Sequence, residues 1–397
     1  MNKRLTKPLT QYKNSALTFF ILLLLSITNI KLSAAEVKKT DLGEQVKLSS
    51  KILNEERFVI VSTPKGYQQS KQKYPVLYLL DGDTHIQHVS GLIEFLSRNQ
   101  QMPEVIIVAI TNTDRVRDFT PQLSKADERF PTAGGANNFL SFISKEVMPF
   151  IEENYRTQPY KILVGHSFGG LLAMHSQLTQ PELFNAYINI SPSAWWDDKI
   201  LAKQAKVQLE GKESFKSFVY MTLANESGKT LAGAWELTAA FEQYAPDDFK
   251  WHFERMPEET HGSVHHISTY KGLKSLYSSW KMPEPIEIVN EQGIDGVKGY
   301  YSSLSDQFGY QINPPEPLLN YLAYHLLEQS KIEDAFTLFN DTIKFYPESV
   351  NALHSLGDAY KEQSKIALAN TSYQQACELA EKQNHEGKEW FCDQKAF

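Results

Sequence analysis

Cysteine is almost absent. Cys377 and Cys392 are the only two in 397 residues, which excludes a small fold framed by disulfides. Both lie near the C-terminus, and the sequence leaves open a single bridge in an oxidising compartment or two free thiols. Positive charge is also scarce. Forty Lys and Arg stand against 47 Asp and Glu, a formal charge of −7, which disfavours nucleic acid or an anionic membrane surface as partner. Long apolar runs are missing as well. The nearest, "ALTFFILLLLSI" from Ala16, is too short to span a bilayer. It follows Lys3, Arg4, Lys7 and Lys13 and precedes "LSAAE", with Ser33 and Ala35 spaced as a small-residue cleavage site. That is the pattern of a secretory signal. Residues 1–35 are therefore expected to be a signal peptide removed near Ala35, leaving a periplasmic or secreted protein without a stable membrane anchor. Cleavage would remove five cations, those four and Lys31, and take the formal charge from −7 to −12.

What is present is an ordinary globular composition, 42% hydrophobic and 22% charged, which argues against both disorder and membrane embedding. The length suits two domains. From roughly Leu42 to Met282, short β-rich runs alternate with amphipathic stretches. "RFVIVSTP", "YPVLYLLDG", "EVIIVAIT", "YKILVG", "AYINIS", "FVYMTLAN" and "KWHFERM" read as strands; "ANNFLSFISKEVMPFIEENY" and "LAGAWELTAAFEQY" read as helices. The central strands are apolar throughout, as parallel strands covered on both faces must be. The expected class is α/β, a sandwich around a mainly parallel sheet over residues 36–283.

After "MPEPIEIV" the pattern becomes purely helical, and residues 284–397 read as a small all-α tail. Within it Ala335 aligns with Ala369 and Phe339 with Tyr373, an offset of 34 residues. Leu319, Leu322 and Leu326 match Leu353, Leu356 and Tyr360 at the same offset. This is the tetratricopeptide period, with repeats expected at 316–349 and 350–383. Two repeats are few for independent stability, so the segment from about Pro285 is expected to cap them against the α/β domain.

One stretch carries chemistry. "LVGHSFGGLLAMHS" contains Gly165-His166-Ser167-Phe168-Gly169, a G-x-S-x-G pentapeptide, weak by itself. Here a strand, "KILVG", runs into it and a helical pattern runs out of it, which is the context of a nucleophile elbow. Ser167 is the expected nucleophile. A serine hydroxyl needs a base and the base an orienting carboxylate. His261 in "EETHGSVHH" follows the last strand and is the expected base, with His265 and His266 as rivals already in the closing helix. Glu226, where "FVYMTLAN" ends, is the expected acid, and Asp247 and Asp248 are the alternatives. His85 and His88 precede the serine and do not fit this order. The backbone N–H groups of Phe168 and Asp83 are the expected oxyanion donors. No cofactor is expected, and no metal: His261 and His265 are four residues apart, but no Glu lies between them and no third ligand is evident.

With these residues in place, the stretch Leu42–Met282 resembles the putative esterase family of α/β hydrolases. The resemblance rests on "YPVLYLLDGD", "RVRDFTP", "GHSFGG", "SPSAWW" and "HGSV", in that order. The family includes esterases that open trilactone catecholate siderophores and, more distantly, the mycolyltransferases. It implies the α/β-hydrolase fold, Ser167 as nucleophile, His261 as base and the Asp83 and Phe168 amides as oxyanion hole. A glutamate as third member has precedent in the mycolyltransferase branch, which supports Glu226; some siderophore esterases work with Ser and His alone. Arg115, Trp195 and Trp196 are candidate substrate-binding residues, while Arg117 is expected to pin its own loop to Asp118. The implied activity is that of a secreted serine carboxylesterase on a small-molecule ester. Acyl transfer, or a non-catalytic binding protein whose tetratricopeptide-like tail docks a protein or peptide, are the alternatives.

Overall fold

The structure is a computed structural model and describes residues 36–394. The expected signal peptide, residues 1–35, lies outside the described residues. Nine strands form one sheet in the order β1-β2-β3-β5-β4-β6-β7-β8-β9. They are β1 (Glu36–Thr40), β2 (Gly43–Ser50), β3 (Glu55–Ser62), β4 (Tyr74–Leu79), β5 (Ile106–Ile110), β6 (Thr157–His166), β7 (Ala186–Ile190), β8 (Phe218–Leu223) and β9 (Lys250–Arg255). From β5 across to β9 all pairings are parallel, whereas β1, β2 and β3 add on antiparallel. The expected class, α/β with a mainly parallel sheet, is the one observed. The β1–β2 hairpin went unread because its edge position needs few apolar residues; in β2 Val46 is the one fully buried aliphatic side chain.

Side chains alternate across the central strands. Leu77, Leu79, Ile107, Ala109, Ile162 and Val164 face one layer, made by the helices Gly82–Arg98 and Val264–Leu276 and by the C-terminal helices. Val76, Tyr78, Ile106, Val108 and Leu163 face the other, made by the helices Phe168–Thr179, Trp196–Leu209 and Gly228–Tyr244 among others. Each fully buried Leu, Ile or Val in these layers stabilises the fold by about 1.5–3 kcal/mol. Burial on both faces is why these strands lack a polar alternation.

The tail is all helix. Glu316–Glu328 packs on Ile332–Phe345, and Val350–Glu362 packs on Ile366–Lys382, so that the second pair begins 34 residues after the first. The helix Pro285–Phe308 lies between these pairs and the sheet. Its Phe308 is 2% exposed and sits against Tyr160, Tyr277 and Trp280 at ring separations of 5.1, 5.2 and 5.9 Å. Cys377 and Cys392 form a disulfide that ties the last long helix to the short helix Lys388–Asp393. Among the described residues no helix is long and apolar enough to cross a membrane.

Candidate active site

In an open parallel sheet, functional loops gather at the carboxyl ends of the strands. Ser167 follows β6, Glu226 follows β8, His261 follows β9 and Asp81 follows β4, so all four stand on one edge. Asp247 and Asp248 precede β9 and belong to the opposite edge. There Asp248 accepts hydrogen bonds from the Phe215 amide at 2.8 Å and the Ser214 hydroxyl at 2.5 Å, a loop-bracing role.

Ser167 has φ 60° and ψ −114°, a region that non-glycine residues rarely occupy. Such a conformation costs about 1–3 kcal/mol and persists only where its surroundings impose it. They do so here. Its N–H donates to the Ile190 carbonyl at 2.9 Å, and its own carbonyl accepts from Leu171 and Ser193 at 2.9 and 3.0 Å. A Cβ at Gly165 would lie 2.3 Å from the Gly169 carbonyl oxygen, so only glycine lets strand and helix come this close. Phe168 is the first residue of its helix, and its N–H has no carbonyl in the preceding turn to meet.

His261 and Glu226 meet side chain to side chain, Nδ1 to Oε1, at 2.6 Å. The two loops are also tied by their backbones, the Asn225 N–H donating to the Glu259 carbonyl at 3.0 Å. Burial works to raise the Glu226 carboxyl, but hydrogen bonds from His261 and Ser191 outweigh it, and its pKa lies below the ordinary value. The carboxylate is therefore ionised at neutral pH. With the proton of His261 on Nδ1, Nε2 remains as an acceptor.

The second expected oxyanion donor, Asp83, is in the first turn of Gly82–Arg98, after Asp81 in the left-handed region at φ 52°. A Cβ at Gly82 would lie 2.6 Å from the Ala109 carbonyl carbon. Arg115, a candidate for substrate binding, engages most of its donors inside the protein: Nε and Nη2 grip Asp81 at 2.6 and 2.9 Å, and Nη2 also donates to the His166 carbonyl at 3.0 Å. Asn112 adds a third donor to Asp81 at 2.6 Å. The "LLDGD" and "RVRDF" stretches contain this brace, but sequence does not reveal which carboxylate meets which guanidinium. Arg117 does bond Asp118 at 2.7 Å and also reaches Glu55.

Trp196 is 1% exposed, and its indole N–H donates to the Pro121 carbonyl at 3.1 Å, so it packs the core beneath the cleft that it and Trp195 border. Trp195 and Phe130 line this open cleft of about 1470 Å³ whose charges balance, Lys125, Arg129, Lys199 and Lys229 against Asp127, Glu128, Asp197 and Asp198. The Phe168 ring lies 6.2 Å from Trp195 and 5.9 Å from Phe130, which puts the cleft beside the elbow.

Behind the elbow the fold gathers histidines from distant stretches. His166 lies 4.5 Å from His261, ring to ring, and 5.7 and 6.2 Å from His265 and His85. Burial, reinforced by neighbouring imidazoles, lowers the pKa of His88 and His166 to about 4 and that of His265 further still. The pair His261 and His265, which offered no third ligand in sequence, is thus divided. His261 goes to Glu226, and His265 joins His85 and His88.

Residues 50–254 match the family model described as Putative esterase. The chain belongs to this esterase family. It resembles an IroE-like serine hydrolase from Shewanella oneidensis, with 31% identity and a TM-score of 0.63, over 79% of this chain and all of that one. It is 30% identical over 181 residues to the ferri-bacillibactin esterase BesA of Bacillus subtilis, covering 41% of this chain and 62% of that protein. With the siderophore triacetylfusarinine C esterase of Aspergillus fumigatus the identity is 28% over 199 residues, 47% of this chain and 64% of that one. The chain thus spans somewhat less than two thirds of the length of these two curated relatives. The two curated relatives are named as esterases, hydrolases of carboxylic esters, and the α/β architecture is shared with the Shewanella hydrolase.

Proposed function

We propose that this protein is a secreted serine carboxylesterase that opens a siderophore-type ester through an acyl-enzyme. The observation that carries the reading is the 2.6 Å hydrogen bond between His261 Nδ1 and Glu226 Oε1, on the sheet edge that also bears strained Ser167. His261 Nε2 takes the proton of Ser167 Oγ as Oγ adds to the ester carbonyl carbon. The carbonyl oxygen becomes an oxyanion facing the N–H groups of Phe168 and Asp83, donors already oriented before charge develops. Collapse expels the alkoxide, which takes the proton from the imidazolium. Water, deprotonated by His261, then attacks the acyl-enzyme, and the acid leaves while Ser167 regains its proton. Glu226 stays ionised throughout and stabilises the imidazolium.

The substrate class is favoured by the cleft beside Phe168, where Trp195 and Phe130 offer stacking faces. Flat aromatic acyl groups such as those of catechol siderophores suit those faces. Two relatives named as siderophore esterases favour the same class. Export accords with the Cys377–Cys392 bridge. Incubation with a trilactone catecholate, followed by mass spectrometry, tests the reading. The expected product is the linear ester carrying one added water, absent with Ser167→Ala. An intact trilactone after prolonged incubation, with simple aryl esters still cleaved, would remove the siderophore assignment.

A further inference from the structure

Ester hydrolysis leaves several histidines unused. His85 and His88 lie one turn apart on Gly82–Arg98, and His265 and His266 lie in the first turn of Val264–Leu276. One nitrogen from each of His85, His88 and His265 falls within 4.8 Å of the others. His85 Nδ1 and His88 Nε2 are 3.1 Å apart, and the rings of His85 and His265 stack at 3.6 Å. His265 is 2% exposed, and its Nε2 is buried without a hydrogen-bond partner. A buried ring nitrogen with nothing to bond is costly, so a group that pairs with it is called for.

We propose that His85, His88 and His265 bind one divalent transition-metal ion of the zinc type. Three imidazole nitrogens with no carboxylate among them favour zinc, copper or nickel over magnesium or calcium. Metal–nitrogen bonds of about 2.1 Å in a tetrahedron place ligand nitrogens about 3.4 Å apart. The His85–His88 pair is already near that spacing; His85 and His265 are stacked, with their in-plane lone pairs side by side, so binding requires one of these rings to turn its edge toward the ion. Three protein ligands leave a fourth position open.

Two of the three far nitrogens have partners, as metal-binding histidines commonly do. His265 Nδ1 lies 3.4 Å from the Thr269 hydroxyl, and His88 Nδ1 faces His266 Nδ1 at 3.2 Å. The ion would join two helices that begin at the catalytic edge, one through Asp83 and the other just beyond His261. Its role is that of a brace one imidazole, His166, away from the base.

The test is titration of the EDTA-treated full chain with zinc chloride in competition with a chromophoric chelator, alongside thermal unfolding. One ion per chain is expected, and at about a hundredfold excess over Kd a rise in Tm of a few degrees. The double variant His85→Ala, His88→Ala, checked for folding by circular dichroism, is expected to lose at least about a hundredfold in affinity. His265→Asn provides a second variant should the first not fold. Absence of stoichiometric binding to the parent, or parental affinity in a folded variant, overturns the proposal.

Discussion

Arg115 holds Asp81 through two hydrogen bonds of 2.6 and 2.9 Å and reaches on to the His166 carbonyl at 3.0 Å. One guanidinium thus joins the turn that leads to Asp83 to the residue before Ser167. Lysine cannot reproduce a two-point grip. Arg115→Lys is therefore expected to lower kcat by about tenfold to a hundredfold through misplacement of the oxyanion donor, with a smaller change in KM. Steady-state kinetics on an aryl ester checks this. A rise in KM at unchanged kcat would return Arg115 to substrate binding.

Glu226→Gln is expected to lower kcat by about a hundredfold or more, because the imidazolium loses its counter-charge and its orienting acceptor. Asp247→Asn and Asp248→Asn are expected to leave kcat near the parental value, since both residues belong to the other sheet edge. Kinetics on the three variants decides between them. Parental activity in all three would indicate a Ser167–His261 dyad.

The same carboxylate has a pH consequence. The pKa of Glu226 is lowered in the folded protein, so the unfolded chain binds this proton more readily. Its contribution is present above its ordinary value of about 4.5 and is lost only as pH falls through the lower, folded value. Between pH 8 and 4.5, kcat/KM is thus expected to show no ionisation step from this carboxylate. A step in that window that Glu226→Gln abolishes would contradict the assignment.

Gly165→Ala is expected to distort or unfold the elbow, since its Cβ would meet the Gly169 oxygen at 2.3 Å. A loss of several degrees in Tm together with loss of activity is the predicted outcome of a scanning calorimetry and activity comparison. An alanine variant of parental stability would show the elbow to be looser than described.

The tail is predicted to be integral to the fold. Phe308→Ala removes a ring buried against Tyr160, Tyr277 and Trp280, which is expected to cost about 3–5 kcal/mol. Urea unfolding monitored by tryptophan fluorescence measures it. A cost below 1 kcal/mol would mean that the helices Pro285–Lys382 dock elsewhere.

That Ser167, Glu226 and His261 share one sheet edge was legible because chain order suffices. A strand into Ser167, Glu226 after the next strand but one and His261 after the last need only local pattern and a count of strands. What escaped depends on distant side chains meeting. That Arg115 grips Asp81, and that the Trp196 indole meets the Pro121 carbonyl, is decided by packing across many residues. His85 and His88 were set aside for standing before the serine, yet the parallel sheet brings their helix beside His265. The β1–β2 hairpin escaped for another reason, since an edge pair with little to bury lacks the apolar signal of a strand.

The central claim is that Ser167 is an activated nucleophile. Mass mapping of the full chain after reaction with a fluorophosphonate tests it most directly. The account predicts a single stoichiometric adduct on Ser167, abolished by Ser167→Ala and strongly slowed in His261→Ala. A parent chain that stays unlabelled, or an adduct on another residue, would contradict it.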